Sequence, residues 1–202
     1  MIVVGLTGGI GSGKTTVANF FKGFNIPVYI ADDEAKLLMA TSKVIKRQLI
    51  ALFGVGAYTD GNELNRQFLA SKIFSDKSYL DQMNAIIHPK VAAHFNTWVK
   101  KQQAPYVIKE AAIIFEHNNE SYYDYIITVT ANREQRISRV MKRDNTNKSK
   151  IEAIIRNQMS DQEKIEKSHY VIVNNNLKST EEQVLETHML LLKEIEKNRN
   201  QR

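Results

Sequence analysis

The residues best suited to chemistry are Gly8-Gly9-Ile10-Gly11-Ser12-Gly13-Lys14-Thr15, which satisfy every fixed position of the pattern GxxxxGK followed by Ser or Thr. Glycines in such a run let the backbone turn tightly and aim successive N–H groups at phosphate oxygens. The start of a following helix adds a partial positive charge at the same place. Lys14 would then reach the β- and γ-phosphates, and the Thr15 hydroxyl would ligate Mg²⁺. The bland alternative is a glycine turn with a solvated lysine. Against it stands the frame: Ile2, Val3, Val4 and Leu6 read as a buried strand, and Val17, Ala18, Phe20 and Phe21 as a helix face. A bound nucleoside triphosphate is expected.

Phosphoryl transfer also needs an orienting base and cations for the spreading negative charge. Asp32 and Asp33 follow the apolar run Val28-Tyr29-Ile30-Ala31, where a parallel sheet places its ligands. Either could take a hydroxyl proton or position Mg²⁺, or could instead cap a helix starting at Glu34. Gln135, Arg136, Arg139, Arg143 and Asp144 follow another apolar run, with the arginines at i, i+3 and i+7. This spacing suits a lid whose forked donors close on polyphosphate, in preference to an exposed basic face. Glu110 and Glu116 flank Ala111–Phe115, and either could act near Mg²⁺. Arg66 could pair with acceptor phosphates or sit in a buried ion pair with a carboxylate. His88 has no second histidine at metal-ligand spacing, so a hydrogen-bonding role is expected for it.

These residues need a scaffold, and its outline is periodic. Apolar runs at 2–6, 27–31, 106–108, 125–130 and 170–173 alternate with helical patterns, which indicates an α/β fold with a parallel sheet. Residues 34–103 carry only helical periodicity and read as a helical substrate-binding insertion. Pro89 is expected to kink or restart the helix near His88. Residues 180–197 read as an amphipathic helix capping the sheet, with 198–202 frayed.

The chain has 202 residues, no cysteine, a formal net charge of +6 and ordinary globular composition. Disulfides and thiolate metal sites are thereby excluded. No apolar run approaches the roughly 18–20 residues of a membrane span, and the N-terminus does not read as a signal peptide. A cytoplasmic, membrane-free protein is expected, as a monomer or small homo-oligomer. The positive charge calls for an anionic partner. Aromatics are not interleaved with the basic clusters, so nucleic acid is not the expected one.

Taken together, the sequence resembles the dephospho-coenzyme A kinase family over nearly its whole length. Val4–Thr15, Leu64-Asn65-Arg66, His88-Pro89, Ile113-Ile114-Phe115-Glu116, Gln135 through Arg143-Asp144, Gln158-Met159 and Val171-Ile172-Val173-Asn174 follow in the family's order. The resemblance implies a P-loop NTPase fold with a five-stranded parallel sheet, a helical substrate-binding insertion and a lid. The implied division is a nucleotide-binding core at 1–33 and 104–202, a lid at about 139–157, and a helical CoA-binding domain at 34–103. The implied reaction is ATP- and Mg²⁺-dependent phosphorylation of the ribose 3′-hydroxyl of dephospho-CoA, giving CoA and ADP. By that resemblance Asp32 is the base, with Lys14 and Arg139 as its catalytic partners. ATP is held by Gly9, Gly11, Ser12, Gly13, Lys14, Thr15, Thr16, Arg139, Arg143 and Asn174. Asp32, Arg66, His88 and Glu116 meet the acceptor. The chain departs from the family pattern at Ile30, where an acid is usual, and at Ala112, where a proline is usual.

Overall fold

Five short runs rich in β-branched and aromatic residues form strands: β1 (Ile2–Thr7), β2 (Val28–Ile30), β3 (Tyr106–Glu110), β4 (Tyr125–Thr130) and β5 (Tyr170–Val173). They make one sheet in the order β2-β3-β1-β4-β5, and β1 pairs in parallel with both β3 and β4. The chain steps from β1 outward to β2, returns to β3, and only then crosses to β4. The switch of direction lies at the carboxyl end of β1, where parallel sheets open a ligand crevice. The glycine loop leaves β1 there. The computed structural model describes residues 1–200.

The chain divides into two units, 30–101 and the remainder. In the sheet unit, Val4, Leu6, Ile108, Ile127, Val129 and Ile172 form one buried cluster with Val17 and Phe21 of α1 (Lys14–Gly23). Val184, Leu191 and Ile195 of α9 (Leu177–Asn200) complete that cluster, so this helix does cover the sheet. Complete burial of such a side chain stabilises by about 1.5–3 kcal/mol, which is what fixes the two helices on the strands. Residues Asn198–Asn200 are helical where fraying was expected; Gln201 and Arg202 lie outside the described residues.

The second unit is helical: α2 (Ala31–Thr41), α3 (Lys43–Phe53), α4 (Arg66–Ser75) and α5 (Ser78–Val99). Met39, Ile45, Leu49, Leu69, Ile87, Val91 and Phe95 are buried within it, and the Tyr58 hydroxyl donates to Met39 O at 2.8 Å. Ser42 and Asn65 cap α3 and α4 by accepting from Ile45 N and Phe68 N.

Two local expectations are corrected here. Helix α5 does not restart near His88 but continues through Pro89 from Ser78 to Val99. An interior proline forfeits a hydrogen bond and costs about 3 kcal/mol, yet Ile87, Val91 and Phe95 bury one face on both sides of it and hold the helix together. Helix α2 begins at Ala31, not Glu34, with Ile30 at its N-cap and no side-chain cap. Asp32, Asp33 and Glu34 therefore occupy its first turn, where their charge suits the helix dipole, and neither aspartate caps it.

Beyond these, the sheet unit contains α6 (Arg133–Asp144), α7 (Lys148–Asn157) and the short α8 (Asp161–Glu166), the last closed by a Ser160/Glu163 capping box.

Candidate active site

The glycine loop takes its shape from bonds made behind it. Ser12 N donates to Gly9 O at 3.2 Å, and Thr16 N and Val17 N donate to Gly13 O to start α1. Among the described residues the N–H groups of Gly11, Gly13 and Thr15 have no acceptor. A strand end, a tight loop and a helix N-terminus thus present unsatisfied donors together, which is the requirement for a phosphate site. Gly13 is indispensable on two counts: its φ is 93°, and a Cβ there would overlap the Asn174 side-chain amide.

Lys14 Nζ donates to Gly8 O at 3.0 Å and stands 3.7 Å from Glu110 Oε1. Glu110 is 6% exposed at the end of β3, so the lysine meets a nearly buried carboxylate. The field of that carboxylate reaches further. Burial first, and then the Glu110 charge, push the Tyr123 hydroxyl up to about 12. Burial alone pulls the neighbouring Lys109 ammonium down. Ser12 Oγ is buried without a partner, whereas Thr15 and its hydroxyl are at the surface.

The arginines expected to line one face divide into three environments. Arg136 is 5% exposed; its Nε donates to Ile10 O at 2.9 Å and its Nη1 pairs with Asp161. It braces the loop from behind, so the reading of all three arginines as lid residues is corrected at this position. Helical spacing explains why: Arg136 lies four residues before Val140 and beside Ile137, on the buried side of α6. Arg139 is half-buried. Its Nη2 donates to Asn174 O at 2.8 Å, and its Nη1 is buried with no partner. Arg143 is exposed and chelated by its neighbour Asp144 at 2.7 and 2.8 Å, which raises the guanidinium further and lowers the carboxyl.

Asn174, just past β5, is 4% exposed and committed on both sides. Its Nδ2 donates to Ser12 O at 2.9 Å, and its Oδ1 accepts from Thr180 Oγ1 at 3.0 Å. Glu116 is engaged elsewhere. Its Oε1 accepts from the fully buried Lys164 and from Met159 N, leaving Oε2 buried and unpaired.

The structure thus gathers Gly9, Gly11–Thr16, Glu110, Arg139 and Asn174 at the carboxyl ends of β1, β3 and β5. Asp32, Arg66 and His88 belong to the helical unit. Asp32 is exposed without a partner among the described residues, while Asp33 pairs with Lys36 at 2.8 Å. Arg66 is exposed at the start of α4 and has no carboxylate partner among the described residues, so the buried ion pair considered for it is absent. His88 is exposed on α5. Among the described residues no group of three or more His, Cys, Asp or Glu side chains could hold a metal. Sequence reading gave Asp161 and Lys164 no role and noted Gln158 only as part of the motif Gln158-Met159. Asp161 and Lys164 lie on the 6-residue helix α8, too short to show an apolar period that would mark a buried face, and Gln158 stands just outside α7.

A sequence model of the family described as dephospho-CoA kinase matches residues 2–180. A dephospho-CoA kinase of Bacteroides fragilis is 38% identical over 195 residues, covering 96% of this chain and 95% of its own. One from Salinibacter ruber is 33% identical over 178 residues, covering 87% and 89%. The fold is similar to a crystal structure from Thermus thermophilus, with a TM-score of 0.83, 30% identity, and coverage of 94% and 96%. It is also similar to a dephospho-CoA kinase from Campylobacter jejuni, with a TM-score of 0.63, 18% identity, and coverage of 94% and 96%.

Proposed function

The chain belongs to the dephospho-CoA kinase family, and on that premise we propose how its residues move the γ-phosphoryl group of ATP to the ribose 3′-hydroxyl of dephospho-CoA. The protein is an ATP-dependent kinase of the phosphate-loop class. The observation that carries the reading is the set of unsatisfied donors at Gly11, Gly13 and Thr15, beside Lys14 and the unpaired Nη1 of Arg139.

Charge on the transferred group spreads over its equatorial oxygens, so positioning and electrostatics supply most of the rate. Gly9 and Gly11–Thr16 cradle the polyphosphate through the loop and the start of α1. Lys14 exchanges its bond to Gly8 O for β- and γ-phosphate oxygens. Arg139, anchored by Asn174 O through one nitrogen, offers the other to the transferred group. Arg143 adds charge at the surface if its chelate with Asp144 opens, and the segment at about 139–157 acts as a lid. Asn174 serves ATP by holding the loop at Ser12.

Asp32 is the base for the 3′-hydroxyl, supported by its open carboxylate two residues past β2. Asp33 pairs with Lys36 at the surface. Arg66, exposed and unpaired, binds acceptor phosphate; His88 and Glu116 are further acceptor contacts. The helical unit is the CoA-binding domain.

Mg²⁺ fits the hard oxygen donors here, the Thr15 hydroxyl and the Glu110 carboxylate. Too few side chains gather for a cage, and a phosphate-borne ion that keeps its waters needs none. Thr15 would hold it, and its charge would offset that of the β- and γ-phosphate oxygens.

The test is ADP release from Mg²⁺-ATP with and without dephospho-CoA, with mass analysis of the product. Acceptor-dependent release and a product heavier by one phosphoryl group are expected. Phosphorylation of nucleosides or nucleotides, with dephospho-CoA left unchanged, would sink the acceptor assignment.

A further inference from the structure

Both polar groups of one residue in the phosphate loop are held by side chains from either side of α7. Ile10 N donates to Gln158 Oε1 at 2.9 Å, and Ile10 O accepts from Arg136 Nε at 2.9 Å. Gln158 is the residue just past α7, and Arg136 lies on α6 before it. The Arg136 guanidinium pairs with Asp161, whose Oδ2 also accepts from Thr130 Oγ1 at 2.8 Å, at the end of β4. Between these two, Met159 N donates to Glu116 Oε1 at 3.2 Å. Residues 158–161 therefore tie the loop, α6, the end of β4 and the segment after β3 to one short link. A Cβ at Gly9 would overlap the Arg136 guanidinium, so glycine at that position admits the clamp as well as any ligand.

The clamp has a direction. It turns the Ile10 N–H toward Gln158, while the donors of Gly11, Gly13 and Thr15 stay unsatisfied. A loop that stabilises developing charge must hold its dipoles in place before the reaction, because reorienting them during it costs rate. Gln158 supplies an acceptor without a negative charge that would repel phosphate. Asp161 neutralises Arg136, whose buried charge would otherwise be costly.

We propose that Gln158, with the Arg136–Asp161 pair, is a positioning residue for phosphoryl transfer, fixing the Ile10 peptide and with it the aim of the phosphate-facing N–H groups. The proposal rests on the reading of this loop as the ATP site.

Gln158→Met keeps the side-chain length and removes the acceptor; Gln158→Glu keeps an acceptor oxygen. Hydrogen exchange at the Ile10 amide reads the clamp directly, and steady-state kinetics per folded active site read its consequence. In Gln158→Met, Ile10 is expected to lose about tenfold or more in protection, and kcat to fall about tenfold, with the KM for ATP changed less than kcat. Gln158→Glu is expected to restore the exchange protection. A purely structural role would lower Tm and the active fraction while leaving Ile10 exchange and kcat per active site as in the wild type, and that result overturns the proposal. Should Gln158→Met fail to fold, Asp161→Asn tests the other arm with the same two readouts. A wild type that binds no Mg²⁺-ATP by calorimetry would overturn the ATP-site reading itself. An active wild type matched by its variants would overturn only the clamp.

Discussion

Asp32 and Asp33 are adjacent, acidic and both exposed, yet they differ in what their carboxylates touch. Lys36 holds Asp33 at 2.8 Å, and Asp32 has an open carboxylate. A base must reach the proton it removes, so the open group is the better candidate. Asp32→Asn is expected to cut kcat by about 10²- to 10⁴-fold while ATP affinity, measured by calorimetry, stays within about threefold. Asp33→Asn should cost little. Turnover by Asp32→Asn close to that of the wild type would remove the base assignment. The arginines teach the same lesson: identical residues at i, i+3 and i+7 became a buried brace, a half-buried donor and a surface chelate.

Elements here are held by burial rather than by propensity. Helix α5 tolerates Pro89 because apolar residues on both sides of it are packed. Helix α9 docks by Val184, Leu191 and Ile195, and also through His188, which stacks on Phe24 at 5.0 Å and meets the Tyr106 hydroxyl at 2.7 Å. Burial pulls the His188 imidazolium below its ordinary value of 6.5 and pushes the Tyr106 hydroxyl up, so the hydrogen bond joins a protonated tyrosine to a neutral ring. A histidine lowered on folding leaves the unfolded chain with the stronger hold on the proton. Stability is therefore full above about pH 6.5 and declines as pH falls through that value toward the lower folded one. Urea unfolding between about pH 5 and 8 should show this slope, and His188→Gln should flatten it. An unchanged slope in the variant would clear His188 of the effect.

Across the whole molecule, a net charge of +6 and a set of unsatisfied backbone donors favour a polyanionic ligand. No described helix is long and apolar enough to cross a membrane. A ligand that binds only the folded chain stabilises it by about 2.7 kcal/mol at a hundred times its Kd. For a chain of this length that corresponds to a rise in Tm of about 5–11 °C. Thermal unfolding with Mg²⁺-ATP should show a shift of this order, and Lys14→Ala should lose most of it. A full shift in that variant would exclude Lys14 from the phosphate site.

The sequence by itself determined the phosphate loop, the strand–helix alternation around it and the helical character of 34–103. Each is a local pattern: fixed glycine and lysine spacing, apolar runs of strand length, and apolar periodicity of helical length. It also determined the family, because several short motifs in fixed order are specific where any one is not. Only the tertiary structure decided which polar residues are spent on holding the loop. Gln158, Arg136 and Asn174 each bond backbone more than a hundred residues away, and Asp161 acts through Arg136. Gln158 and Asn174 stand in motifs that point to the family, but no local pattern shows which backbone they hold, since a polar side chain reads the same whether solvated or buried. The meaning of Arg136 and Glu116 was likewise settled by partners distant in sequence, Asp161 and Lys164, whose charges make burial affordable.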